Sequence, residues 1–146
     1  MSGWWSKKVA QRRNRGFLNA AMAAAALVST ADDDVRLSEQ LALDELLERL
    51  EKLRIFDPQQ GVELHRRFAA GIGADSSQGR AGALRAISSL KGKEDQAELV
   101  LYVASVIAQA DRSLSESEWQ ELAAICEALG LAPEDALGRI PRRAES

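Results

Sequence analysis

The sequence predicts an all-α protein, a compact helical bundle of about seven helices. Apolar residues recur at helical spacing along most of the chain, whereas the alternation of β-branched residues typical of strands is nearly absent. A pattern of buried helix, acidic loop and amphipathic helix also occurs twice. We expect these two helix–acidic loop–helix repeats to be related by a pseudo-twofold axis and to bury their apolar faces against each other.

The N-terminal half is predicted to contain four helices. A short helix is expected over 3–13, and a nearly all-apolar and therefore buried helix over 16–30. Leucines spaced by three and four residues predict an amphipathic helix over 37–53. Asp57 followed by Pro58 is typical of a helix start, and this helix is expected to continue to about residue 72.

The next two helices lie between clear stop signals. Asp75 and the two serines after it are predicted to cap a helix over about 78–90, which ends at Gly92. A second buried helix is expected over 94–110, with an apolar set of Leu99, Val100, Val103, Val106 and Ile107.

The last helices are bounded by a capping box and a glycine. Ser115 and Glu118 form the spacing of a capping box, which predicts a helix over 116–129 that ends at Gly130. Pro133 is expected to start a short terminal turn, and 140–146 a frayed tail.

The internal repeat appears when Ala24–Leu50 is aligned with Val103–Leu129, a shift of 79 residues. Both copies contain Ala-Asp, an apolar residue four positions after the alanine, and a glutamate eight positions after it. The matched pairs are Leu27 with Val106, Val28 with Ile107, Val35 with Leu114, Glu39 with Glu118, Leu43 with Leu122, Leu46 with Ile125 and Leu50 with Leu129. A period this long indicates a duplication inside one domain rather than a solenoid.

The duplicated phrases, Ala31–Glu39 and Ala110–Glu118, resemble those of the TerB family of tellurite-resistance proteins, and the resemblance extends over about 15–131. It is strengthened by Ile55-Phe56-Asp57 and Arg15-Gly16-Phe17. The family usually has glycine after the aspartate, where this chain has Asp33 and Arg112. The resemblance implies a non-enzymatic role in tellurite resistance and the envelope-stress response, together with other tellurite-resistance proteins, some of them in the membrane.

The two acidic loops are the candidate site. If the pseudo-twofold axis brings them together, five carboxylates converge, those of Asp32, Asp34, Glu39, Asp111 and Glu118. Oxygen ligands of this kind suit a divalent cation such as Ca²⁺, Mg²⁺ or Mn²⁺, which would also relieve the repulsion between them. The spacing is not that of an EF-hand. Two alternatives stay open: the acidic residues cap backbone amides, or they form a patch that faces a partner protein.

Basic residues are concentrated at the N-terminus. Five basic residues and no acidic one lie in 1–16, so the other 130 residues account for −8 of a net charge of −3. Trp4 and Trp5 beside these charges suit a weak contact with an anionic membrane or an acidic partner, or else the tryptophans dock on the core. The expected division of the chain is a basic arm over 1–14, a helical domain over 15–139 and a flexible tail over 140–146.

Several function classes find no support in the sequence. The net charge is negative, so the protein as a whole does not attract nucleic acid. A single cysteine can form neither an intrachain disulfide nor a cysteine-rich zinc site. No catalytic motif or long apolar span is present, although a hydrolase that uses the carboxylates remains a third hypothesis. We expect a cytoplasmic protein, peripheral at the inner membrane face if the arm binds lipid. His65 is predicted to lie on the surface, and Cys126 to pack as a small hydrophobic residue.

Overall fold

The computed structural model describes residues 3–31, 41–45, 58–110 and 114–138, and it describes side chains from residue 15 onward within these ranges, Pro58 excepted. This part of the chain contains seven helices and no strand, so the all-α bundle predicted from the sequence is confirmed. The helices are α1 (Gly3–Ser29), α2 (described over 41–45), α3 (Pro58–Ala74), α4 (Ser76–Ser88), α5 (Glu94–Ala108), α6 (Glu116–Leu129) and α7 (Pro133–Gly138).

The first helix differs from the prediction, because the separate helices expected over 3–13 and 16–30 are one continuous helix, α1. The change from basic to apolar residues near Gly16 alters the composition of the helix without supplying a residue that ends it. A glycine inside a helix costs roughly 1 kcal/mol, which the packing of the following turns readily offsets. Gly16 is exposed and Phe17 is buried, so α1 passes from solvent into the core at this point without a break in the helix.

The core is built around α1. Every residue from Ala20 to Leu27 is fully buried, and α1 packs against α3, α4, α5 and α6. The alanines have no side-chain entropy to lose and allow neighbouring helices to approach closely. The side of α5 that packs against α1 is also mostly buried, so the prediction of two central buried helices is confirmed. Two members of the predicted apolar set of α5 are not fully buried: Leu99 is 40% exposed, and Val106 is half-buried.

The predicted helix ends are confirmed where the structure describes them. The Asp75 side chain accepts a hydrogen bond from the Gln78 amide at 3.1 Å and caps α4. Gly92 has a φ of 90° and Gly130 a φ of 76°, so both lie in the left-handed region that favours glycine after a helix. The predicted helix over 37–53 falls within the described residues only at 41–45, which are helical, and the predicted tail lies outside them.

A charged pair joins two helices on the outside of the core. The Arg80 guanidinium on α4 donates through Nε to Glu121 Oε2 on α6 at 3.0 Å, and through Nη2 to the other oxygen. This bidentate contact bridges α4 and α6 beside their direct packing. Hydrogen bonding to Glu121 raises the pKa of Arg80, so this guanidinium is charged at any ordinary pH.

Candidate functional site

Both acidic loops leave a buried helix through the same backbone turn. At the end of α1, the Thr30 amide donates to Ala26 O at 3.0 Å and the Ala31 amide to Val28 O at 3.3 Å. The matched positions after α5 make the same bonds, Gln109 to Ser105 O at 3.0 Å and Ala110 to Ile107 O at 3.2 Å. The repeat found in the sequence is therefore also a repeat in local geometry up to the residue before each aspartate.

Glu118 is the predicted site residue that the structure describes, and it lies at the start of α6. The Ser115 hydroxyl accepts from the Glu118 amide at 3.1 Å, and the Ser115 amide donates to Glu118 Oε1 at 3.0 Å. The capping box predicted from the sequence is therefore confirmed with both of its hydrogen bonds. This arrangement orients the carboxylate toward the loop that precedes the helix.

The environment of Glu118 is unusual for a carboxylate, because the residue is only 1% exposed. Burial of a charged group is costly unless hydrogen bonds or opposite charge compensate it. The Ser115 amide and the partial positive charge at the start of α6 supply part of that compensation. The capping bond occupies Oε1, and a carboxylate has a second oxygen that can accept a donor or ligate a cation.

The other four predicted ligands, Asp32, Asp34, Glu39 and Asp111, lie outside the described residues. The convergence of the two loops and the pseudo-twofold relation therefore stay predictions. Among the residues that the structure does describe, no group of three or more histidine, cysteine, aspartate or glutamate side chains is placed to hold a metal ion. Glu118 alone does not make a metal site, so any such site needs the loop aspartates.

His65 lies against the end of α1, and the prediction that it is a surface residue is wrong. It is 4% exposed, and its Nε2 lies 3.3 Å from the hydroxyl of Ser29, in the last turn of α1. Burial lowers the pKa of His65 to about 4, although the charge of Asp44 on α2 acts in the opposite direction. The signal for this burial is present in the sequence. Gly61, His65, Phe68 and Ile72 follow helical spacing along the inner face of α3.

The Ser29–His65 contact has the elements of a nucleophile and a base, which sequence motifs did not reveal. Ser29 is 2% exposed and His65 is 4% exposed, so a substrate has no access to either side chain. A reactive serine must reach its substrate as well as its base. We therefore interpret the contact as a buried hydrogen bond that joins α1 to α3 just before the first acidic loop.

Cys126 on α6 packs as predicted. It is completely buried among core residues. Burial is the largest cause that raises the pKa of its thiol to about 11. The thiolate is the reactive form of cysteine, so this side chain is poorly suited to redox or metal chemistry.

Comparison with known proteins places these features in a family. The family model described as tellurite resistance protein TerB matches residues 18–138. The chain is also similar to a tellurium resistance protein TerB from Alcaligenes sp, with 24% identity over 98 residues. That alignment covers 67% of this chain and 80% of the relative. No solved structure matches the chain.

Proposed function

Because this chain belongs to the TerB family of tellurite-resistance proteins, we propose that it is a non-enzymatic module for tellurite resistance and stress response. Its two acidic loops would form a binding site for a divalent cation or for the basic surface of a partner protein. TerB domains are generally non-enzymatic. Other proteins of the tellurite-resistance system, including membrane proteins, are the partners we propose.

The observation that carries this proposal is the position of Glu118. A carboxylate that is 1% exposed stands at the start of α6, directly after the second acidic loop. The same turn geometry leads into both loops, which supports an equivalent placement of Asp32 and Asp111. Carboxylates brought together in this way would need a cation or basic groups to offset their mutual repulsion. Ca²⁺, Mg²⁺ and Mn²⁺ suit such all-oxygen ligands best.

The effect on tellurite would be indirect. Tellurite is an oxyanion, and an acidic cluster repels anions. The thiol of Cys126 is buried and has a pKa of about 11, so it is not available for reaction with an oxyanion in the folded protein. The module would therefore act through a cation or a partner.

The metal hypothesis is tested by thermal unfolding of the wild type and of Asp32→Asn/Asp111→Asn. Each protein is melted with a chelator and then with millimolar Ca²⁺, Mg²⁺ or Mn²⁺. A cation that binds the folded state raises the Tm by mass action, and at a concentration 100 times the Kd the stabilisation is about 2.7 kcal/mol. We expect one of these cations to raise the Tm of the wild type and to leave the double variant unchanged.

The matched control is Asp75→Asn, which changes an aspartate that caps α4 away from the acidic loops. Asparagine caps helices about as well as aspartate, so this variant should respond to cations like the wild type. If the loop variant responds as strongly as the wild type, or if no cation shifts either protein, the loops do not bind metal. The capping interpretation of the aspartates would then remain.

A second candidate function is that of a peripheral adaptor whose basic arm contacts anionic lipid at the cytoplasmic face of the inner membrane. The favouring observation is that α1 begins at Gly3, so the backbone of the basic segment with Trp4 and Trp5 is helical and continuous with the core helix. None of the helices described combines the length and apolar character needed to cross a bilayer. Any membrane contact through these helices would therefore be interfacial.

This second candidate is tested by sedimentation with vesicles that contain anionic lipid. We expect the full chain to sediment with the vesicles at low salt and a chain that lacks residues 1–14 to remain in solution, because the basic residues supply the attraction. Vesicles of neutral lipid are the control. Equal sedimentation of the two proteins would contradict a role for the arm.

A further inference from the structure

The outward side of α5 carries an exposed apolar stripe that the core does not use. Leu99 is 40% exposed and Tyr102 is 47% exposed, and Val106 in the same row is half-buried. Asp95 precedes them in the row at the start of the helix and is also exposed. We call Asp95, Leu99, Tyr102 and Val106 the α5 outer face.

The spacing of this face matches what a docking helix requires. Its four residues are separated by four, three and four positions, so they form one straight row about 16 Å long at 1.5 Å per residue. Apolar residues at such intervals are the contacts by which one helix recognises another. The opposite side of α5, with Val100, Val103 and Ile107, is already buried in the core. The helix is thus apolar on two sides, and the described helices of this chain cover one of them.

The charges near the α5 outer face indicate what kind of partner would bind there. Glu94, Asp95 and Glu98 are exposed in the first turns of α5, and they outnumber Lys91 and Lys93, which are exposed just before the helix. The protein outside residues 1–16 carries a net charge of −8. An anionic lipid surface would be repelled by these carboxylates. A helix with both basic and large apolar residues would be complementary to them. Tyrosine adds a ring on which a lysine or arginine can stack.

This chain contains such a helix, since the first turns of α1 hold Trp4, Trp5 and Val9 among its five basic residues. We propose that the α5 outer face binds the basic N-terminal turns of α1 from a second copy of this chain. The α5 outer face and the arm are different surfaces, so the contact is head-to-tail. Each molecule can bind one copy through its α5 outer face and another copy through its arm. The contact is independent of the acidic loops, which use other residues.

The experiment is sedimentation velocity of full-length chains at low salt, up to roughly 200 μM because an interface of this size binds weakly. We expect the mass of the wild type to rise above the 15.9 kDa of the monomer as concentration increases. Added salt should reverse this rise by screening the charges. Leu99→Gln/Tyr102→Gln should remain a monomer, as should the arm variant Lys7→Glu/Lys8→Glu.

Mixing is the decisive measurement. The face variant keeps a normal arm and the arm variant keeps a normal face, so the two together should form dimers although neither associates alone. Leu41→Gln is the matched control, because Leu41 is an exposed leucine on α2, 59% exposed, and its loss should leave association unchanged. Circular dichroism melts should show that all variants fold.

Three results would overturn the inference. They are a wild type that stays monomeric throughout, a face variant that associates as the wild type does, and a mixture of the two variants that contains monomers alone. Sedimentation of the face variant with anionic vesicles separates this contact from the lipid role of the arm. That variant should bind vesicles as the wild type does if the arm also serves as a lipid contact.

Discussion

At the scale of single residues, the buried imidazole of His65 links the stability of the protein to pH. The imidazole is enclosed between α1 and α3, with the Ser29 hydroxyl 3.3 Å from its Nε2. Its environment disfavours the charged form, because burial removes water that would solvate an imidazolium. The pKa of about 4 lies below the ordinary value of 6.5, so the unfolded chain takes up a proton more readily than the folded protein.

We predict that stability falls as pH decreases from 6.5 through 4 and that this contribution is fully present above 6.5. The difference in pKa corresponds to a loss of about 3 kcal/mol once both states are protonated. The variant His65→Gln retains a hydrogen-bonding side chain but cannot titrate. Urea unfolding at pH 7.5 and pH 5 should show a larger loss of stability for the wild type than for this variant.

The charge of Asp44 provides an independent check, since it raises the pKa of His65. In Asp44→Asn the pKa of His65 should be lower still, and titration of the imidazole by NMR should show the change directly. An identical pH dependence in the wild type and His65→Gln would mean that the imidazole does not determine the acid sensitivity.

At the scale of helices, the contact between α3 and α4 depends on one glycine. A Cβ atom at Gly79 would lie 2.5 Å from Ile72 Cα and 2.6 Å from Ile72 N. These are backbone atoms, which cannot move aside as the end of a flexible side chain can. The two helices therefore pack closely at this point because position 79 has no side chain.

We predict that Gly79→Ala destabilises the protein by about 1–3 kcal/mol, because α3 and α4 must separate to admit the methyl group. Gly82→Ala is the matched control in the same helix, since a Cβ there meets no atom within 4 Å. That substitution should be neutral or stabilising by up to about 1 kcal/mol, as expected for alanine in place of glycine in a helix. Denaturant unfolding of both variants measures the difference, and equal effects would contradict the close contact.

At the scale of the whole molecule, the backbone of the basic arm is continuous with the buried helix of the core. Among the side chains that the structure describes, burial begins at Phe17, directly after the exposed Arg15 and Gly16. The apolar packing that stabilises α1 is described over 17–29, where α1 meets the other helices.

We predict that removal of residues 1–13 leaves the fold intact and changes the Tm by less than about 5 °C, the effect of roughly 1 kcal/mol in a domain of this size. The measurement is a thermal melt of the truncated chain at low protein concentration, where self-association does not contribute. A decrease of about 10 °C or more would show that Trp4 and Trp5 are anchored in the core.

The sequence by itself determined the helices and most of their ends. Asp75, Ser115 and Gly130 act through hydrogen bonds and dihedral angles within a few residues, so their patterns predict local structure without knowledge of the fold. The capping role of Glu118 was predictable for the same reason, as were the fully buried positions of α1, whose residues are apolar on every side.

Only the tertiary structure decided which helix faces are covered. His65 is buried because Ser29 and the end of α1 lie against it, whereas Leu99 and Tyr102 are exposed because none of the described helices covers that side of α5. Glycine is needed at position 79 because the backbone of α3 lies too close for a side chain, and no turn of the chain at this position requires it. Burial depends on partners that are distant in the sequence, and helical periodicity identifies an apolar face without specifying what will pack on it.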